Sequence, residues 1–323
     1  MPRQITLETI RDAARHIYTV ARRTPLVPFD ATAAANADTP NIHLKLETLQ
    51  PIGSFKIRGA YNAVRQLTSE QLAGGVWTVS AGNAAQGVAL AARAAEVPCS
   101  VLVIDTAPQT KRDAIARLGA TTVTASYDEC WEVVEQRLAN RLPGCLVHPF
   151  DDDAFISGNG TIGLEIIEDL PDVDAIVASV GGGGLLAGLA TAVRALKPGT
   201  RIFAAEPETA APLAGSLAAG EARSFDGWRA SFVDGCGGKS VTPTMWPLLR
   251  DLVDGSIVVS LEEVKRAMRL VAARAHVIAE GAGASSVAGA LSGKAGGGKI
   301  ACVVSGGNID LSKLAKILQG QVP

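Results

Sequence analysis

Apolar and polar positions along the chain form two kinds of segment that alternate. Short runs of β-branched and other apolar residues are separated by alanine- and leucine-rich stretches with helical spacing. The runs lie at Ile42–Glu47, Val76–Ser80, Ser100–Asp105, Cys145–Pro149, Ala175–Val180, Arg201–Pro207, Ser256–Ser260 and Ile300–Ser305. Those written AIVASV and IACVVS contain no polar alternation, which is typical of strands buried on both faces. The pattern predicts an α/β protein with mostly parallel sheets covered by helices.

Length and charge narrow the class of protein. A chain of 323 residues with 47% hydrophobic content exceeds the usual size of one compact core, so we expect two domains, and without a long linker one is inserted in the other. The net charge of −2 provides no basic field for nucleic acid or a membrane surface. The first residues contain no apolar run that could serve as a signal or a span, which favours a cytoplasmic location. Five scattered cysteines argue against a disulfide framework or a zinc site.

Ligands of open α/β sheets collect at the carboxyl ends of strands, so the loops there are the candidate sites. Gly181–Gly184 follows the run AIVASV and opens the helix LLAGLATAVRAL, where free amides and the helix dipole favour an anion. We interpret it as a phosphate site, although a flexible turn has the same composition. Its spacing matches neither the dinucleotide pattern nor a P-loop, so NAD and ATP are not expected.

A second loop contains Lys56. Ser54 is placed to cap a helix from Ile57 onward, which puts Lys56 in the first helical turn. A cation there meets the positive end of the macrodipole, and this favours the neutral amine that forms imines and accepts protons. By itself, a lysine in this position is most often a solvated surface residue.

Two further loops complete the set. Ser80–Gly87 joins the run VWTVS to the helix VALAARAA and presents amides that would bind a carboxylate, although a simple capped turn would look the same. Ser305–Asn308 ends the last strand and brings the Ser305 hydroxyl toward the same cleft.

In this order, the four loops resemble those of fold-type II pyridoxal-phosphate enzymes. The stretch KLETLQPIGSFKIRGAYNA is similar to the serine/threonine dehydratase and serine racemase branch, and the resemblance extends over residues from about 20 to 310. It implies two open, twisted, mostly parallel sheets, with a large domain at 1–52 and 148–323 and a small domain at 53–147. It also implies pyridoxal 5′-phosphate as the cofactor and a homodimer.

The resemblance implies a role for each site residue. Lys56 would carry the cofactor as a Schiff base and, with Ser80, would be catalytic. Phe55 would lie against the cofactor ring, Asn83 would hydrogen-bond its 3′-oxygen and Ser305 its pyridine nitrogen. Further cofactor contacts would come from Gly181, Gly182, Gly183, Gly184, Leu185, Glu280 and Gly306. The substrate carboxylate would be surrounded by Ser80, Ala81, Gly82, Asn83 and Ala84.

The implied reaction is the dehydration of a 3-hydroxy-L-amino acid of the threonine or serine type. It would pass through an aminoacrylate to a 2-oxo acid and ammonia, the reaction of an ammonia-lyase. A neutral Ser305 hydroxyl would leave the pyridine nitrogen unprotonated, which favours β-elimination over transamination.

Two departures from the family pattern bear on specificity. Racemases place a serine, as an acid on the second face of Cα, where this chain has Ala81. We therefore expect dehydration with little racemisation, and a serine racemase-like enzyme with β-elimination activity is the alternative. Ala84 stands where the family has histidine, so the pocket has room either for a bulkier β-substituent, as in phenylserine, or for a neighbouring side chain that keeps threonine or serine as substrate.

A divalent cation is doubtful. The family's cation site would use Glu206 and the Ala210 carbonyl, but Pro212 replaces the next acidic ligand and offers no carboxylate. The chain ends at Pro323, so an appended regulatory domain is not expected. A non-catalytic sensor or a nucleotide-binding module is disfavoured because Lys56, Asn83 and Ser305 occur together.

Overall fold

The computed structural model describes residues 3–31, 41–107 and 109–323. The strands in these ranges are β1 (Leu26–Phe29), β2 (Asn41–Leu46), β3 (Val76–Val79), β4 (Cys99–Ile104), β5 (Thr121–Ala125), β6 (Cys145–Leu146), β7 (Ala175–Ser179), β8 (Arg201–Pro207), β9 (Gly255–Val259) and β10 (Lys299–Val304). The helices are α1 (Leu7–Ile17), α2 (Lys56–Arg65), α3 (Ser69–Leu72), α4 (Asn83–Ala94), α5 (Gln109–Ala116), α6 (Tyr127–Gln136), α7 (Asp153–Asp169), α8 (Gly184–Leu196), α9 (Pro212–Ala219), α10 (Trp246–Leu252), α11 (Leu261–Leu270), α12 (Gly281–Leu291) and α13 (Leu311–Leu318). Of these described helices, none has the length and apolar character needed to cross a bilayer.

The strands form two separate sheets. The larger has the order β1-β2-β10-β7-β8-β9, and its neighbours are parallel except for β1 and β2. The smaller has the order β5-β4-β3-β6 and is parallel throughout. The chain builds the smaller sheet after β2 and returns to the larger one at β7. The predicted α/β class with two mostly parallel sheets is confirmed.

The sequence pattern missed two edge strands and overextended a third. β1 contains Pro28, which an edge strand tolerates because one of its sides needs no ladder bonds. β5 is a polar, mostly exposed edge strand. The predicted strand Cys145–Pro149 is wrong beyond Leu146. The chain turns after it, and His148 Nδ1 accepts a hydrogen bond from the Asp151 amide at 2.8 Å.

Helices α7 and α8 pack closely through glycine. A Cβ on Gly188 would lie 2.1 Å from the Ile156 carbonyl oxygen, and one on Gly160 would lie 2.9 Å from the Gly188 carbonyl oxygen. Only glycine permits this separation. The contact fixes the start of α8, and with it the glycine loop that precedes the helix.

A buried ionic cluster, here called the Arg58 cluster, fixes α2. Arg58 donates from Nε to Glu47 Oε2 at 2.7 Å and from Nη1 to Glu165 Oε1 at 2.5 Å. Lys45 Nζ lies 2.5 Å from Glu165 Oε2, and Tyr18 donates its hydroxyl to the same carboxylate. The four charged side chains are almost fully buried. They join β2, α2 and α7, so the first residue of α2, Lys56, has a rigid support.

Candidate active site

A cavity of about 460 Å³ lies between the two sheets, at the carboxyl ends of β3, β7 and β10. Its wall includes Phe55, Lys56, residues 80–84 and 181–185, Glu280 and Ser305. Gly306 lies directly behind this wall, because a Cβ there would be 2.4 Å from Glu280 Oε1. The structure therefore brings the side chains and loops singled out in the sequence into one place.

Lys56 is the first residue of α2, and its amine lies in the cavity. Nζ donates to the Pro149 carbonyl oxygen at 2.8 Å and lies 5.2 Å from the centre of the Phe55 ring. Burial lowers the pKa of this amine to about 8, so more of it is neutral at pH 7 than in a surface lysine. The capping prediction for Ser54 is wrong: Phe55 occupies the cap position without a side-chain cap bond, and Ser54 Oγ accepts from the Lys56 amide at 3.3 Å.

The glycine loop lies at the start of α8. Gly183 has a φ of +91°, the left-handed region that favours glycine, and a Cβ on Gly182 would lie 2.2 Å from the Phe150 ring. Within the described part of the chain, α8 has no side-chain cap, so its first amides are not capped in that way. The loop is thus a concave surface of backbone at the positive end of a helix dipole, a site suited to a phosphate.

The loop after β3 contains an internal hydrogen bond between a backbone amide and a side chain. The Gly82 amide donates to Ser80 Oγ at 3.0 Å, and α4 begins at the next residue, Asn83. The Ser80 hydroxyl is therefore oriented as an acceptor toward its own loop, and its proton is available to another group. The amides that open α4 are the other donors this loop offers to a carboxylate.

Three polar side chains form a chain of hydrogen bonds beside this loop. Asn308 donates from Nδ2 to Asn83 Oδ1 at 2.7 Å, and Asn83 donates from Nδ2 to Glu280 Oε1 at 2.7 Å. Burial, aided by the charge of Asp234, raises the pKa of Glu280 to about 8, so Glu280 is mostly a neutral acid at pH 7. Asn83 keeps one free amide proton. No role was predicted for Asn308, although it ends the SGGN motif.

Ser305 is buried at the end of β10. Its Oγ lies 3.3 Å from Ser179 Oγ, and its carbonyl oxygen accepts from the Phe55 amide at 3.0 Å. The second bond joins the end of β10 to the segment that carries Lys56. The hydroxyl is a neutral group that lines the cavity.

One side of the cavity is apolar and was not predicted from the sequence. Its lining residues are Ile104, Tyr127, Trp131 and Val134. Tyr127 and Trp131 lie one turn apart on α6 with their rings nearly parallel, at an interplanar angle of 9° and a centroid separation of 6.4 Å. The spacing YDECW in an amphipathic helix was the available signal, but it is equally typical of an ordinary core face.

The Glu206 carboxylate, the predicted first ligand of a cation, is already hydrogen-bonded within the protein. Glu206 accepts from the amides of Leu213 and Ala214, both at 2.8 Å, and from Ser256 Oγ at 2.6 Å. Its carboxylate thus binds the first turn of α9. Among the described residues no group of three or more acidic, histidine or cysteine side chains is arranged to hold a metal, and the five cysteines are free thiols.

The fold is α/β, and its cavity contains a buried lysine amine, a glycine loop at a helix start and a second loop that offers free amides. The family model for pyridoxal-phosphate dependent enzymes matches residues 17–306, so the chain belongs to that family. The L-threonine ammonia-lyase of Thermotoga maritima is 38% identical over 317 residues, which cover 97% of this chain and 78% of the relative.

Solved structures agree with this assignment. Maize serine racemase superposes with a TM-score of 0.88 at 34% identity, and the match covers 97% of each chain. The processed form of threonine deaminase isoform 2 from Solanum lycopersicum superposes with a TM-score of 0.85 at 34% identity, covering 97% of this chain and 92% of that one. The predicted fold-type II class, the pyridoxal-phosphate cofactor and the assignment to a pyridoxal-phosphate dependent lyase are confirmed at this level.

The cavity fits the cofactor. The glycine loop at 181–184 offers backbone where a side chain at Gly182 would strike Phe150, and the Lys56 amine lies in the same space. The neutral Ser305 hydroxyl and the free Asn83 amide proton are the groups available to polar atoms of the ring.

Proposed function

We propose that this chain dehydrates a 3-hydroxy-L-amino acid to a 2-oxo acid and ammonia. The observation that carries the proposal is the Lys56 amine, whose pKa burial lowers to about 8, in one cavity with a phosphate loop and a carboxylate loop. The relatives named as threonine ammonia-lyase and threonine deaminase support this reaction.

Each loop has a part in this reaction. Pyridoxal phosphate, when bound, supplies an electron sink that makes the Cα proton of an amino acid removable. Lys56 would hold the cofactor covalently, and its neutral amine would then remove that proton. Residues 181–185 would bind the phosphate, with Gly306 supporting Glu280 behind the ring. The amides and hydroxyl of residues 80–84 would hold the substrate carboxylate.

Elimination is favoured over racemisation by Ala81. A racemase needs a proton donor on each face of Cα, and an alanine methyl group donates none. A racemase-like activity is the second candidate because the maize racemase shares the fold so closely. D-serine formation from L-serine distinguishes the two.

The test is an absorbance spectrum of the purified protein followed by a substrate panel. We expect a visible band from bound cofactor that shifts when L-serine, L-threonine or L-threo-phenylserine is added, with 2-oxo acid and ammonia in equal amounts. A protein that binds pyridoxal phosphate but releases neither product from any of the three would contradict the proposal.

Three broader features belong to the same proposal. The division into a large domain (1–52 and 148–323) and a small domain (53–147) follows the two sheets, although α2 also packs on α7 of the larger part. We further propose a homodimer in the cytoplasm. Light scattering and cell fractionation test these two points independently of activity.

A further inference from the structure

A small side chamber opens from the cavity next to the carboxylate loop. Its volume is about 150 Å³, and it shares Ser80 and Ala81 with that loop. Its remaining wall is apolar or aromatic and comes from Val79 at the end of β3 and from β4 and α6. The wall residues used below are Leu102, Ile104, Tyr127, Cys130, Trp131 and Val134.

The chemistry of the chamber excludes a charged or strongly polar occupant. None of the described side chains that line it is ionised at neutral pH, and burial raises the pKa of the Cys130 thiol to about 11. Lys111 of the main cavity is paired with Asp234 at 2.6 Å. Lys239 Nζ lies 4.3 Å from the centre of the Tyr127 ring, but it is held in cation–π contact between that ring and the Trp228 ring. The Ser80 hydroxyl already accepts a bond from its own loop. A carboxylate or an ammonium group in the chamber would therefore lose water without a partner.

The size and shape fit an aromatic ring. An apolar cavity of about 150 Å³ is large enough to hold benzene. Tyr127 and Trp131, whose rings are nearly parallel, give the chamber an aromatic wall, and aromatic groups pack well in offset or edge contact with such rings.

The position of the chamber fits the β-substituent of a substrate. Cβ is two bonds from the carboxylate carbon, so a group attached to Cβ lies close to the loop that holds the carboxylate. That loop forms one wall of the chamber through Ser80 and Ala81.

We propose that the side chamber binds an aryl group on Cβ, and that the substrate class is the 3-aryl-3-hydroxy-L-amino acids rather than threonine or serine. This inference rests on the proposed function. It places the specificity in the wall from α6, whereas Ala84 lines the main cavity and not the chamber.

The first experiment uses the wild-type holoenzyme. We expect kcat/KM for L-threo-phenylserine to exceed that for L-threonine by about a hundredfold, since a phenyl group buries far more apolar surface than the methyl group it replaces. Calorimetric titration with two amino acids that lack the hydroxyl group gives a second readout. L-phenylalanine should bind at least about tenfold more tightly than L-2-aminobutyrate.

The second experiment fills the chamber. Cys130 lines the chamber but not the main cavity, so Cys130→Phe places a ring where the substrate ring would lie. The ratio of kcat/KM for phenylserine over threonine should fall about a hundredfold, and the preference for L-phenylalanine should disappear. Cys99→Phe is the matched control, because Cys99, the first residue of β4, is also a buried cysteine but lines neither space. It should leave both ratios unchanged.

The results separate this inference from the proposed function. Two results would refute the proposal that the chamber binds an aryl group, without affecting the proposed dehydratase function. One is faster turnover of threonine or serine than of phenylserine, and the other is an unchanged phenylserine-to-threonine ratio of kcat/KM in a folded Cys130→Phe. If no 3-hydroxy amino acid is dehydrated, the proposed function is wrong, and the calorimetric titration alone tests whether the chamber binds an aryl group. Equal affinity of the wild type for L-phenylalanine and L-2-aminobutyrate would refute aryl binding in the chamber, and this result does not require the variant to fold.

Discussion

Two basic side chains on the same helix, Lys56 and Arg58, are treated in opposite ways. Arg58 is fully buried and paired with Glu47 and Glu165, and these charges raise its pKa. Lys56 faces the cavity, donates only to the Pro149 carbonyl among the described partners, and has its pKa lowered by burial. Arg58 is kept charged, whereas Lys56 is pushed toward its neutral form.

The difference teaches how one helix can be both a rigid support and a source of reactivity. A buried ion pair with complete hydrogen bonding fixes its neighbours because breaking it leaves an uncompensated charge. An amine without a carboxylate partner retains the reactivity that pairing would suppress. The Arg58 cluster therefore holds α2 in place, while the amine two residues earlier remains available for chemistry.

Removal of the Lys56 amine should have the largest effect. Lys56→Met is expected to lower turnover of a 3-hydroxy amino acid by at least about a thousandfold, because both covalent attachment and proton removal depend on this atom. Product assays and the absorbance spectrum with added pyridoxal phosphate measure it. Lys197→Met, a change at the end of α8 that lines no part of the cavity, is the control. If Lys56→Met keeps activity within tenfold of the wild type, Lys56 does not take part in the reaction.

Removal of the Arg58 charge should have the next largest effect, and it should act on stability. Arg58→Met leaves Glu47 and Glu165 buried with fewer partners, which costs about 3–5 kcal/mol in the free energy of unfolding. Urea unfolding of the cofactor-free protein measures it. Arg58→Lys should recover only part of the loss, because an ammonium group cannot reproduce the two-sided fork. A midpoint unchanged by Arg58→Met would show that the cluster does not hold α2.

The same substitution at Lys56 should stabilise the cofactor-free protein. Lowering the pKa from 10.5 to about 8 costs about 3 kcal/mol at neutral pH. Lys56→Met removes this cost and loses about 1 kcal/mol with the bond to Pro149, so the net gain is about 2 kcal/mol. Between these pKa values the unfolded chain binds more protons, so wild-type stability rises with pH there.

The pH dependence makes that prediction specific. The advantage of Lys56→Met should be complete below pH 8 and shrink as the pH rises above it. Urea midpoints at pH 7 and at pH 9.5 measure the difference. An advantage that stays constant over this range would mean that the amine is not the cause.

The sequence predicted the elements with strong local signals. The glycine run after a buried strand predicted both the loop at 181–184 and its position at a helix start. The apolar runs predicted most of the parallel strands. It could not reveal the Arg58 cluster, because Lys45, Glu47 and Glu165 come together only through the packing of β2 and α7 on α2. The side chamber was also hidden, since the same aromatic spacing on α6 is typical of any core-facing helix.

Glu280 extends the comparison between Arg58 and Lys56 to an acid, because it is buried without a salt-bridge partner among the described residues and its pKa is raised toward the neutral form. At pH 7 its carboxyl group is mostly protonated, so Glu280→Gln, which keeps the shape and the bond with Asn83, should change activity by no more than about threefold. Glu280→Ala, which leaves Asn83 without that partner, should cost about tenfold.

The two variants should also differ from the wild type in their response to pH. With a pKa raised from 4.5 to about 8, folded Glu280 binds more protons than unfolded Glu280 between these values, so wild-type stability falls as the pH rises through this window. Glu280→Gln lacks this ionisation and should match the wild type near pH 5 but melt at a higher temperature at pH 8.5. An equal difference in melting temperature between Glu280→Gln and the wild type at both pH values would show that Glu280 is already ionised in the folded protein, and that burial without a partner does not keep it neutral.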